Sequence, residues 1–304
     1  MTVPPASDPR RPFGRLLTAM VTPFDVAGSL DLDKAQQLAA YLVDEQDNDA
    51  IVVNGTAGES PTTSDAEKAE IIGAVKHAVG GRAQVLAGVG TNDTVHTVHL
   101  AEQAAAAGAD GLLVVTPYYS RPPQAGLLAH FTAVANATEL PVMIYDIPSR
   151  SGVPVQTETL LRLADHERIV AVKDAKGQLA DSARVMAETG LAYYSGDDVL
   201  TLPLLSLGAV GIVGTSTHFS GRATKAMIQA YERGDIAEAL RLHRQLQPIF
   251  TGIFRTQGVM LVKAGLRLRG PFGTAGVGPV RLPLVEADDH EISHLRQDLE
   301  AAGL

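Results

Sequence analysis

The chain has 304 residues, 45% of them hydrophobic, a net charge of −9 and no cysteine. That apolar content supplies a large core and excludes global disorder, and an acidic balance without a basic run argues against nucleic acid as a partner. Disulfides, thiolate nucleophiles and Cys-type zinc sites are excluded together, and no uncharged apolar run reaches the ~18 residues of a membrane span.

Residues 1–13 are polar and Pro-rich without an apolar core, which reads as a flexible tail and not as a secretory signal. A soluble, cytoplasmic protein is expected. Residues 16–21 form the first strand pattern, closed by Thr22-Pro23, and residues 31–46 show helical spacing at Leu32, Ala35, Leu38, Ala39, Leu42 and Val43. The second strand, 50–54, runs into Gly55-Thr56-Ala57-Gly58-Glu59-Ser60. Ser64 and Glu67 then make a capping-box signature for the next helix. Strands at 84–89, 111–115 and 141–145 alternate with helices at 93–107 and from Pro123 to about 137. Thr116-Pro117-Tyr118-Tyr119 follows the fourth strand and Asp146-Ile147-Pro148-Ser149-Arg150 the fifth.

A helix over 157–164 leads to the sixth strand, Ile169-Val170-Ala171-Val172, which ends on Lys173-Asp174. A helix at 180–188, a strand at 192–195 ending in Gly196-Asp197-Asp198, a short helix, a strand at 210–213 and a helix to about 233 complete the rhythm. Eight strands alternating with helices, mostly apolar and not alternating in polarity, point to an α/β fold. We expect a (β/α)8 TIM barrel catalytic domain over 14–234, with an open doubly wound sheet as the alternative. Residues 235–304 break the period: helices at 236–253, 259–268 and 288–302 around a Gly/Pro loop at 270–283 read as a C-terminal helical appendage.

Chemistry collects at the strands' C-terminal ends, where barrel enzymes place their active sites. An ammonium that closes a buried apolar strand is costly to desolvate unless it is paired or becomes neutral. A neutral lysine amine attacks carbonyls and forms a Schiff base, which makes Lys173 the candidate nucleophile. The glycines around Thr56 and Ala57 allow a tight turn whose backbone N–H groups can hold a carboxylate. That turn lacks the Gly-Lys-Ser/Thr ending of a phosphate-binding loop.

Gly55-Thr56-Ala57-Gly58-Glu59-Ser60, Thr116-Pro117-Tyr118-Tyr119, Tyr145 through Gly152, Val172-Lys173-Asp174-Ala175 and Ser195-Gly196-Asp197-Asp198 resemble, in order and spacing, the dihydrodipicolinate synthase / N-acetylneuraminate lyase family. The resemblance covers about residues 14–304. It implies a (β/α)8 barrel with helical appendage, commonly a homotetramer of two tight dimers. It also implies a Schiff-base lyase that condenses pyruvate with L-aspartate 4-semialdehyde in lysine and diaminopimelate biosynthesis. On this resemblance Lys173 is the nucleophile and Tyr145 the proton shuttle beside it. Thr56 links that tyrosine to Tyr119, which is contributed across the tight dimer interface. Thr56 and Ala57 hold the pyruvate carboxylate, the backbone at Gly196 and Val213 lines the pocket, and Arg150 receives the aldehyde's carboxylate. No cofactor or metal is called for, because the iminium itself polarises the substrate. Nucleic acid and membrane are not expected partners.

The chain departs from the family pattern at Ala57, where Thr or Ser is usual, at Asp146, where Asn is usual, and at Gly214-Thr215, where Ser-Val is common. The readings kept beside the leading one are a pyruvate-dependent aldolase acting on a sugar acid, against which Arg150 speaks, and a non-catalytic barrel that binds a small acid. In lysine-sensitive members the effector site offers two histidines in the helix after the Gly-Thr turn and an acidic residue in the third helix. Those positions read Asp65, Lys68 and His96 here, with Asn92 and Tyr118 kept, which implies weak or absent feedback by lysine. His290-Glu291-Ile292-Ser293-His294 fits the HExxH pattern, but without a third ligand and away from the barrel mouth it is read as a decoy. His96 and His99 are read as surface residues and Asp197-Asp198 as helix-capping carboxylates.

Overall fold

The computed structural model describes residues 10–304, so nine of the residues read as a tail lie outside the described residues. Of the remaining four, Phe13 is fully buried, with its backbone N–H donating to the Tyr194 hydroxyl at 3.2 Å. The eight strands are β1 (Leu16–Ala19), β2 (Ala50–Val53), β3 (Gln84–Gly88), β4 (Gly111–Val115), β5 (Val142–Asp146), β6 (Ile169–Asp174), β7 (Ala192–Ser195) and β8 (Gly211–Gly214). They pair in parallel in chain order, and β1 pairs with β8, with Leu17 opposite Val213, to close the barrel. The open-sheet alternative is thereby removed. Closure buries both faces of the strands, which is why they read as continuous apolar runs such as Ala50-Ile51-Val52-Val53.

Around the barrel run α1 (Leu32–Asp44), α2 (Asp65–Val79), α3 (Thr94–Ala106), α4 (Gln124–Ala137), α5 (Pro148–Ser151), α6 (Thr157–Leu163), α7 (Leu179–Glu188), α8 (Thr201–Leu205) and α9 (Thr217–Glu232). The capping box at the start of α2 forms as the sequence predicts, with Glu67 N–H donating to Ser64 Oγ and Ser64 N–H to Glu67 Oε2. The short α5 is an addition to the sequence reading. Pro148 sits in its first turn, where a missing N–H costs nothing, and it lifts Arg150 off the end of β5.

The C-terminal part consists of α10 (Ile236–Gly252), α11 (Gly258–Arg269) and α12 (Asp289–Ala301), with α10 packed along α9 and against α12. Two ties bind it to the mouth of the barrel. Lys263 Nζ on α11 sits 2.7 Å from Glu59 Oε1, both side chains 1% exposed, and Lys263 also donates to the Pro279 carbonyl. Arg281 donates to the Gly28 carbonyl and ion-pairs with Glu67 at 2.5 Å. The appendage is therefore fixed to the loops after β1 and β2 and to the first turn of α2 through buried and half-buried charge. Glu291 of the HExxH pattern closes a second capping box with Asp288 at the start of α12, an occupation that leaves its carboxylate tied to backbone. Among the described residues no helix is long and apolar enough to cross a membrane.

Candidate active site

A cavity of about 580 Å³ opens at the C-terminal ends of the strands. Its floor is built by β5 and β6, whose register places Tyr145 directly opposite Lys173. Lys173 Nζ lies 4.0 Å from the centroid of the Tyr145 ring. Burial brings the Lys173 amine down to about 8, with the Arg150 cation pushing the same way and the Asp198 carboxylate opposing. Burial also pushes the Tyr145 phenol up to about 12, against the Arg150 charge and a hydrogen bond from Thr56, which lower it. Both groups are thus poised for chemistry, the lysine toward its neutral form and the tyrosine firmly protonated as a donor.

The turn after β2 brings Thr56 and Ala57 to the same cavity. The Thr22 hydroxyl holds it by donating to the Gly58 carbonyl at 2.7 Å, and Glu59 adopts a left-handed φ of 55° before the buried contact with Lys263. Gly196 meets the nucleophile from the β7 side. A Cβ there would come within 3.0 Å of Lys173 Cγ and 3.1 Å of Ala175 Cβ, so glycine lets the backbone close against the lysine stem. Ala57 leaves the turn with no side-chain hydroxyl at that position, so its polar contribution comes from backbone amides.

Arg150 stands at the rim, where its Nη1 and Nη2 each donate to Gln257 Oε1 at 3.2 Å. The rest of the rim comes largely from the C-terminal part, with Phe250, Phe254, Val259, Pro283 and Leu284 forming an apolar wall. Of the expected residues, Thr56, Ala57, Tyr145, Arg150, Lys173 and Gly196 come together in this cavity. Val213 does not line it. Its side chain is 1% exposed within β8, and Thr215, two residues on, faces the cavity in its stead. Tyr119 also lies outside the lining, 89% exposed, on a backbone with φ of 72°.

Sequence reasoning missed two contributors. Gln257 is one. Asp198 is the other: Asp197 does the capping, accepting from Val199 N–H, whereas Asp198 is fully buried and gathers the β8 loop. It accepts from the backbone N–H groups of Thr215 and Ser216 at 3.3 and 2.9 Å and from the Ser216 hydroxyl. Burial raises its pKa, and these donors pull it back down. Asp146, by contrast, is outside the cavity. It accepts from Val155 N–H at 3.2 Å and faces Lys176 Nζ at 3.8 Å, and burial pushes it up to about 7.

A second cavity of about 410 Å³ backs onto the first and shares Thr56, Tyr145 and Arg150 with it. Its own walls carry Asp65, Lys68, Asn92, His96 and Tyr118. His96 Nε2 and Asp65 Oδ2 are 3.0 Å apart, and the buried Lys68 ammonium donates to the Thr63 carbonyl. Among the described residues no group of three side chains is arranged to hold a metal ion.

Residues 12–302 match the model of the dihydrodipicolinate synthetase family. The 4-hydroxy-tetrahydrodipicolinate synthase of Acidothermus cellulolyticus is 64% identical over 292 residues, covering 96% of this chain and 93% of that protein. A Streptomyces coelicolor protein named 4-hydroxy-tetrahydrodipicolinate synthase 2 is 57% identical over 300 residues and covers 99% of each. Among solved structures, that of the Cyanidioschyzon merolae dihydrodipicolinate synthase with lysine bound superposes with a TM-score of 0.93 at 44% identity, covering 97% of this chain and 99% of that one.

Proposed function

The chain belongs to the dihydrodipicolinate synthetase family, and from that membership we propose that it condenses pyruvate with L-aspartate 4-semialdehyde, the reaction of a 4-hydroxy-tetrahydrodipicolinate synthase in lysine and diaminopimelate biosynthesis. The observation that carries the reading is the pair Lys173 and Tyr145, side by side in register under one cavity with Arg150 at its rim. The neutral Lys173 amine attacks the ketone carbon of pyruvate, and water leaves as the iminium forms. The iminium is an electron sink, so a methyl proton is lost and an enamine results. The enamine carbon bonds to the aldehyde carbon of the second substrate, whose oxygen takes a proton. The substrate's own amine then displaces Lys173 and closes the ring, which returns the lysine to its starting state.

Backbone N–H groups at Thr56 and Ala57 hold the pyruvate carboxylate, and the Gly196 backbone confines the lysine stem. Tyr145 donates to the oxygen leaving the pyruvate carbon and passes protons through Thr56. Tyr119 completes that relay in a neighbouring copy. Its exposure and left-handed backbone suit a ring held out from its own subunit. That relay requires a tight dimer, and the family resemblance extends it to a cytoplasmic homotetramer of two such dimers.

A sugar acid is the less favoured substrate, because Arg150, which resembles the arginine of the synthase branch, stands at the rim of the cavity. An activity assay with pyruvate and a panel of aldehydes tests the reading. Turnover is expected with aspartate semialdehyde. Turnover confined to sugar aldehydes, or none with any of them, would overturn it.

A further inference from the structure

We propose that Gln257 is the positioning residue that aims Arg150 at the carboxylate of the second substrate, so that the C-terminal part takes a direct share in substrate selection. The proposal rests on the functional reading above. Arg150 sits on the four-residue α5 with an exposed guanidinium. A long side chain free to rotate there loses about 1.5–2 kcal/mol of rotamer freedom when a ligand fixes it. Both terminal nitrogens of Arg150 converge on a single acceptor, Gln257 Oε1, at 3.2 Å each. The fork is therefore oriented before substrate arrives, and N–H groups not committed to the amide remain for a carboxylate.

The chemistry of the acceptor matters as much as its place. An amide oxygen orients a cation without cancelling its charge. A carboxylate at the same position would orient it equally well and would compete with the substrate for it. Gln257 is also firmly referenced to the rest of the site. It is the residue immediately before α11, and Gly258 and Val259 after it line the cavity. Lys263, further along the same helix, is tied to Glu59 in the turn that presents Thr56 and Ala57. One rigid element thereby sets the spacing between the two carboxylate-binding points.

Kinetics of the full-length protein, Gln257→Ala and Gln257→Glu, with each substrate varied in turn, test this. Gln257→Ala is expected to raise KM for aspartate semialdehyde on the order of tenfold, the scale of one hydrogen bond to a charged group. KM for pyruvate and the yield of borohydride-trapped adduct on Lys173 should stay within about twofold, a change too small to correspond to a lost hydrogen bond. Gln257→Glu should raise KM for the aldehyde further than Gln257→Ala does, although it is the closer isostere. A merely structural residue would not give that order. Equal effects on both substrates, a milder effect of Glu than of Ala, or unchanged KM values in both variants would overturn the proposal. An unaltered protein that forms no pyruvate adduct on Lys173 would overturn the functional reading and the proposal with it.

Discussion

Schiff-base formation requires a neutral amine, so the rate of adduct formation should follow the titration of Lys173. Burial and the Arg150 charge bring that amine to about 8 from the ordinary 10.5. The sign is set by the reactive form: lowering the pH through 8 protonates the nucleophile, and the rate falls. At pH 7 an amine titrating near 8 is about one-tenth neutral, against about one part in 3,000 for an ordinary lysine, a difference of roughly 300-fold. The assay exposes the protein to pyruvate for timed intervals at each pH, quenches every sample into borohydride at one fixed pH, and reads the adduct by intact mass. The rate should rise tenfold per pH unit well below 8 and level off above it. Asp198→Asn supplies an internal check, because the Asp198 carboxylate is the influence that favours the ammonium. Its removal should move the midpoint downward. A rate still climbing at pH 10, or a midpoint that moves upward in Asp198→Asn, would refute the electrostatic account of the nucleophile.

Arg150→Ala should cut turnover of aspartate semialdehyde while leaving the trapped adduct on Lys173 intact. A parallel loss of both, followed by mass spectrometry and steady-state assay, would make Arg150 structural. Lysine should inhibit little at millimolar levels, since the second cavity places a buried Lys68 ammonium beside the space and pairs His96 with Asp65. A dose–response curve at sub-saturating pyruvate with half-inhibition below about 1 mM, an affinity of ~4 kcal/mol, would show a working effector site. Lys263→Met should lower stability by about 3–5 kcal/mol in urea unfolding, because it strands the Glu59 carboxylate in the interior. A loss near zero would mean that Glu59 finds water or another donor.

The barrel was legible because each strand is apolar on both faces, a pattern that an alternating, half-exposed sheet does not produce. Closure was not. Nothing in Leu16-Leu17-Thr18-Ala19 says that its free edge will meet Gly211-Ile212-Val213-Gly214, and only the observed pairing of β1 with β8 decides it. The motif residues at the strand ends converge as expected in six cases, because a barrel brings all its strand ends to one face. Gln257 was invisible for the opposite reason. It meets Arg150 across 107 residues of chain, and a polar residue before a helix looks like any other surface position. Glu291 needed no such long-range information: Asp288 three residues earlier already spelled a capping box.

Asp146 makes the sharper case, because its placement follows from the period of a strand. Successive side chains point to opposite faces, so if Tyr145 faces the cavity, Asp146 cannot. The same holds for Lys173 and Asp174, and the register pairs the two carboxylates just as it pairs the two catalytic candidates. Behind the barrel wall Asp146 is countered by Lys176 and accepts from Val155, while Asp174 bonds to Ser182 and to the Lys176 backbone. An Asn-to-Asp departure at 146 therefore changes the charge balance between β5, β6 and their outer loops, and leaves the cavity lining as it was. Two adjacent positions on one strand thus answer to different constraints: the inward one to the chemistry of the substrate, the outward one to the cost of burying a charge.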